Sequence, residues 1–255
     1  MSSSNWSDTW TQRTSDSLEV YLLGMVDFES MLAIQDQFRE DVMRRRGGRS
    51  GLFLCEHPPV VSIGREGSQS HLRRDVTDLA RQHIDVRWLN RGGGAWMQCP
   101  GQLAAYLVLP LQRLGLGLRE YRLRLEQAVL DVCRELHVSA HRLEGEPGVF
   151  SKLGQLANVG IAVRSGVSYF GLTLNVRPDL ALVRMTRPNM LGLKPTSLEA
   201  TRQRLIPVPK VRESLIRHLA ERLKYDDVHL FTGVPGLVRT VRQTATGSGN
   251  QAEET

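Results

Sequence analysis

Lysine and cysteine are the scarce residues of this 255-residue chain. Four lysines (Lys152, Lys194, Lys210 and Lys224) stand against 29 arginines, and there are three cysteines, Cys55, Cys99 and Cys133. No CxxC pair and no histidine at ligand spacing accompanies them, which argues against a disulfide scaffold or a zinc site. Neither a metal nor a cofactor is expected. No apolar run approaches the roughly 18–20 residues that span a bilayer, so no membrane segment is expected. The opening MSSSNWSDTWTQRTSDS has no apolar h-region, so a secretory leader is not expected and the cytoplasm is the expected location. What is present is an ordinary globular mixture, 41% hydrophobic and 24% charged, able to bury a core without covalent staples. A net charge of +6 favours acidic partners. The arginines are scattered, and their single run, Arg44–Arg46, reads as a solvated helix end, so no nucleic-acid partner is expected.

Residues 1–17 and 242–255 are polar and rich in Ser, Thr and Gly, and read as disordered tails around one domain over 18–241. Inside it, Asp27 is placed to cap a helix whose buried face is Met31, Ile34, Phe38 and Val42, and RGG at 46–48 ends it. A second helix over 118–137 carries Leu118, Tyr121, Leu125, Val129, Val132 and Leu136. A third opens with Pro209 at its first position and runs to about Lys224, burying Val211, Leu215, Leu219 and Leu223. Short apolar runs at 51–55, 60–64, 85–89, 101–111, 148–150, 156–163 and 168–176 read as strands, with SGV at 165–167 as a hairpin turn. Interleaved helices and strands with at least one hairpin predict an α+β fold, a mixed or antiparallel sheet flanked by helices.

Four segments are candidates for chemistry. Arg91-Gly92-Gly93-Gly94 follows a strand and is either a flexible turn or a nest of exposed amides for a carboxylate, phosphate or thioester carbonyl. Glu56-His57-Pro58-Pro59 is either a rigid turn with a hydrogen-bonding histidine or the seat of a catalytic base. Gly160 and Gly171 interrupt apolar strands, which marks either sheet curvature or the close approach of a ligand. Met185–Leu198 reads as a loop.

Taken in order, these segments resemble the octanoyl-carrier-protein:protein N-octanoyltransferases, relatives of the lipoate- and biotin-protein ligases. The family pattern EHPPVYTLGR stands here as EHPPVVSIGR (56–65), RGGxVTYHGPGQ as RGGGAWMQCPGQ (91–102), and GVxVxxxKIxSIG as GVFSKLGQLANVG (148–160). YHGLALNV stands within SYFGLTLNV (168–176), and PCG as PNM (188–190). The resemblance spans about residues 18–224. It implies a single ligase-like domain, a mixed sheet with helices on one side. It also implies a two-step reaction: a cysteine thiolate takes the octanoyl group from acyl carrier protein and passes it to a lysine of a lipoyl domain. The implied partners are octanoylated acyl carrier protein and the lipoyl domains of 2-oxoacid dehydrogenases or the glycine cleavage H protein.

The departures fall on the chemistry. Asn189 occupies the cysteine position of PCG and Gln155 the lysine position of KIxSIG, while Gln98 and Phe170 replace two histidines. Neither amide replaces a thiolate or an ammonium. Two readings follow. In the first, the chain binds acylated partners without transferring the acyl group. The implied acyl site is then Arg91, Gly92, Gly93, Gly94, Gln98, Asn158, Val159, Gly160, Gly171, Leu172 and Thr173. In the second, transfer persists by relocated chemistry. Cys99 would serve as nucleophile, or the RGGG amides would polarise the thioester for direct attack by the acceptor lysine. Lys152 lies three residues before Gln155, an odd offset that puts it on the opposite face of a regular strand.

Overall fold

Burial switches sides residue by residue along the central strands: Val20 enters one core and Tyr21 the other, as Leu52 and Phe53 do. A sheet apolar on both faces needs helices on both, and the computed structural model, which describes residues 17–45, 48–189 and 191–234, supplies them. The strands are β1 (Ser17–Met25), β2 (Gly51–Glu56), β3 (Val60–Ile63), β4 (Asp85–Trp88), β5 (Ala95–Gln98) and β6 (Gln102–Val108), followed by β7 (His141–Leu143), β8 (Glu146–Ser151), β9 (Gly154–Arg164), β10 (Val167–Asn175) and β11 (Asp227–Thr232). The helices are α1 (Phe28–Arg44), α2 (Val76–Arg81), α3 (Leu118–Glu135), α4 (Leu180–Val183), α5 (Leu198–Arg202) and α6 (Val208–Leu223).

Eight strands form the main sheet in the order β11-β1-β2-β6-β10-β9-β8-β7, and β4-β3-β5 form a small second sheet. In the main sheet β1 runs parallel to both its neighbours and the other pairs are antiparallel, so the sheet is mixed as expected. The large core lies between this sheet and the α3/α6 pair, with Tyr121, Leu125, Val129, Val132, Leu215 and Leu219 fully buried. Helix α1 covers the opposite face through Met31, Phe38 and Val42. The helices therefore sit on both sides of the sheet, not on one. The third core, under the small sheet, gathers Val61, Ile63, Ala95, Met97 and Val183.

Asp27 caps α1 as its sequence position predicts, accepting from the Ser30 amide at 3.1 Å. The RGG stop lies partly, and the tails over 1–16 and 242–255 wholly, outside the described residues. Three details differ from expectation. Ser17 begins β1 rather than ending a tail, because its strand pairs on both sides. Leu118 is 52% exposed at the start of α3, one position off the buried stripe. Pro209 is the second helical residue of α6, where its missing N–H is still no loss.

Candidate functional site

A bulge in β9 creates the site. Phe150 of β8 pairs with Gln155 and Val149 with Ala157, so Leu156 is an extra residue. Leu156 and Ala157 both enter the large core, as do Val159 and Ile161. The bulge thereby leaves Gln155, Asn158 and Gly160 together on the α1 face of the sheet. Val159, assigned to the acyl site from the motif, points into the opposite core and lines no part of the site. Neighbouring β10 sets Thr173 opposite Asn158 and Gly171 opposite Gly160.

Between this face and the small sheet lies a cavity of about 30 Å³. Of the residues assigned to the acyl site, Arg91, Gln98, Asn158, Gly160, Gly171, Leu172 and Thr173 line it. Phe28, Ser62, Trp96, Tyr106 and Phe170 also line it, and sequence patterns had not marked them as walls. The glycines are explained by neighbouring backbone. A Cβ on Gly171 would lie 2.2 Å from the Ala105 carbonyl oxygen of β6, and one on Gly160 would lie 2.9 Å from the Gly92 carbonyl oxygen. The close approach at both positions is chain against chain.

The Arg91–Gly94 loop closes one side. Arg91 is 4% exposed, and its guanidinium donates to the Ser62 carbonyl and hydroxyl, both at 2.8 Å, and to the Gly92 and Gly94 carbonyls. Every one of these acceptors is neutral, and burial pulls the Arg91 pKa down to about 10, so the group stays cationic at neutral pH. The loop amides are already committed: Gly92 donates to the Ile161 carbonyl at 2.9 Å and Gly93 to the Glu66 carboxylate at 2.5 Å. As folded, those two amides do not present the open nest that direct aminolysis requires.

The two positions at which the family pattern carries lysine and cysteine meet. Asn189 Nδ2 donates to Gln155 Oε1 at 2.9 Å and to the Leu193 carbonyl at 2.9 Å, while the Leu193 amide donates to Asn189 Oδ1 at 3.0 Å. Gln155 Nε2 donates to the Ala157 carbonyl at 3.2 Å. The two side chains thus satisfy each other and the backbone around them. The backbone of Gln155 fastens the same loop, donating to Lys194 and accepting from Thr196, both at 2.9 Å. Asn175 donates to the Thr196 carbonyl at 2.7 Å and accepts from Gln102, whose own oxygen takes the Cys99 amide. The asparagine of LNV and the glutamine of PGQ therefore brace the loop over 188–196, a role that no spacing in the sequence revealed.

Cys99 is not brought to this cavity. It is 1% exposed among Val61, Ile63, Met97 and Val183, and burial together with Asp179 pushes its thiol up to about 12. His57 takes the rigid-turn role. Its Nδ1–H donates to the Val26 carbonyl at 2.8 Å, leaving Nε2 to accept from the Tyr106 hydroxyl at 2.8 Å. Burial pulls its pKa down to about 4, so the ring is neutral. Lys152 and Lys194 are exposed, Lys152 on the β8–β9 turn. Among the described residues no group of three or more potential metal ligands gathers, and no helix is long and apolar enough to cross a membrane.

Comparison with known proteins agrees with this architecture. The family model described as the lipoyl protein ligase A/B catalytic domain matches residues 27–228. An octanoyltransferase of Geotalea uraniireducens is 37% identical over 179 residues, covering 70% of this chain and 80% of the relative. That of Pseudomonas putida is 34% identical over 212 residues, covering 83% and 94%. Two solved structures share the fold: a lipoate-protein ligase A bound with ATP (TM-score 0.64, 19% identity, 85% of this chain and 90% of that one) and an archaeal bi-partite lipoate protein ligase from Thermoplasma acidophilum studied with its E2 lipoyl domain (0.59, 18%, 85% and 87%). The chain belongs to the octanoyltransferase family, within the lipoyl protein ligase A/B catalytic-domain group.

Proposed function

We propose that this chain is a non-transferring member of its family, one that recognises the acylated carrier protein or the lipoyl domains of the lipoylation pathway without moving the acyl group. The observation that carries this reading is the Gln155–Asn189 hydrogen bond. Acyl transfer through a covalent intermediate needs a nucleophile and a group that moves protons. Here the two positions hold neutral amides, each engaged by the other and by backbone. An amide nitrogen has no free lone pair for attack on a thioester, and neither side chain carries an ammonium. Relocated chemistry finds little support, because the Cys99 thiol is buried and its pKa raised, and two of the loop amides are occupied.

The test mixes the protein with octanoylated carrier protein, with and without a lipoyl domain, and reads every species by intact mass. The expected result is an unmodified protein, no octanoyl gain on the lipoyl domain above a no-protein control, and a measurable complex with one partner by calorimetry. Transfer above the control, or an octanoyl adduct on the protein, overturns the reading, as does the absence of any complex.

A further inference from the structure

Two walls of the cavity depart from the family pattern in the same direction. RGGxVTYHGPGQ has threonine where Trp96 stands, and YHGLALNV has histidine where Phe170 stands. Both replacements are large rings, buried to 2% and 7% exposure, and both line the cavity. The remaining space, about 30 Å³, is room for a water or two, whereas a cavity of roughly 150 Å³ is what benzene occupies. An eight-carbon chain does not fit. What is left is also polar: Arg91, Gln98, Asn158 and Thr173 face it, and Trp96 Nε1 and Gln98 Oε1 have no hydrogen-bond partner.

Phe170 is held there against its own preference. It sits in the left-handed region at φ +60°, unusual for a bulky residue and uncommon inside a strand. That geometry turns its N–H away from β6, whose pairing with β10 starts only at Gly171. The N–H donates instead to Gln35 Oε1 of α1 at 2.6 Å, from a side chain that is itself 2% exposed. The ring rests on Tyr169 with centroids 5.1 Å apart. A strained backbone that its surroundings fix in place at the wall of a site points to a role for the side chain it positions.

We propose that Phe170 and Trp96 are specificity-determining residues that exclude a medium-length acyl chain, so that the cavity admits only a short polar acyl head. This rests on the reading above for the identity of the partner and narrows the ligand: the chain recognises its partner through the polypeptide and discriminates against octanoyl as cargo. The experiment uses small thioesters of N-acetylcysteamine, one acetyl and one octanoyl, titrated by calorimetry into the wild type, Phe170→Gly and Trp96→Thr. Phe170→Gly removes the ring and relaxes the left-handed backbone at once, which offsets part of the cost of emptying a buried position. Trp96→Thr opens the opposite wall independently. The expected result is at least a tenfold gain in octanoyl affinity in either variant, with acetyl affinity changed less than threefold. A wild type that binds the octanoyl thioester as tightly as both variants overturns the proposal, as does the absence of a gain in both. Because the probes carry no protein, a wild type that fails to bind carrier protein defeats the partner reading while leaving this ordering readable.

Discussion

The Gln155–Asn189 pair makes a quantitative prediction. Asn189→Ala removes one bond to Gln155 and two to the Leu193 backbone, and strands Gln155 Oε1 in a position where the residue is 1% exposed. A hydrogen bond contributes about 1 kcal/mol net, and an orphaned buried acceptor costs about 1–3 kcal/mol. The Leu193 end is exposed and water replaces much of what is lost there, so the expected destabilisation is about 2 kcal/mol. Gln155→Ala, which also leaves a small void, is expected to cost about 2–3 kcal/mol. The double variant loses the shared bond once, so the coupling between the positions is about 1 kcal/mol. Urea unfolding of the four proteins measures it. Native-state hydrogen exchange gives a second reading: in Asn189→Ala the Leu193 amide loses its acceptor and is expected to exchange about fivefold faster, the equivalent of about 1 kcal/mol. Additivity of the single variants within about 0.3 kcal/mol, with Leu193 exchange unchanged, would refute the claim that the two amides form one closed unit.

Two further outcomes follow from geometry already described. His57 binds a proton near its ordinary pH of about 6.5 when unfolded but only near 4 when folded, so stability is full above 6.5 and falls as the pH drops toward 4. The loss reaches about 2 kcal/mol at pH 5, read from urea midpoints, and His57→Gln is expected to flatten that segment of the profile. An unchanged slope in that variant means that another group titrates. Gly171→Ala places a methyl 2.2 Å from the Ala105 carbonyl oxygen, and forcing β10 from β6 is expected to cost roughly 3 kcal/mol or abolish soluble expression. A variant with wild-type stability shows that the strands separate freely.

The parts of this fold that were legible in the sequence are those governed by local chemistry. The Asp27 cap, the three-and-four spacing of α3 and α6 and the β9–β10 hairpin depend on neighbours within one turn or one strand. The missing parts depend on distant chain. β11 is exposed along its length, so no alternation marks it, and its reason to be a strand is β1, some 200 residues earlier. The bulge at Leu156 breaks the period of two, which is why Asn158 keeps company with Gln155 at an odd offset; Val159 entered the expected site only as part of the contiguous segment 158–160, and alternation turns it into the opposite core. Motif order located the amide pair by residue number, but nothing linear showed that Asn189 and Gln155 touch, or that Trp96 and Phe170 face each other's space.

The strand order also fixes where an instrument can hold this molecule. β11 forms the edge of the main sheet remote from β9, five strand spacings away, or roughly 24 Å at about 4.8 Å each. A biotin handle or a dye attached beside Thr232 therefore sits five strands from β9, where Gln155 holds the Asn189 loop. Surface-based binding measurements made through that edge are expected to leave the site accessible, and a handle placed beside β9 to weaken the same signal.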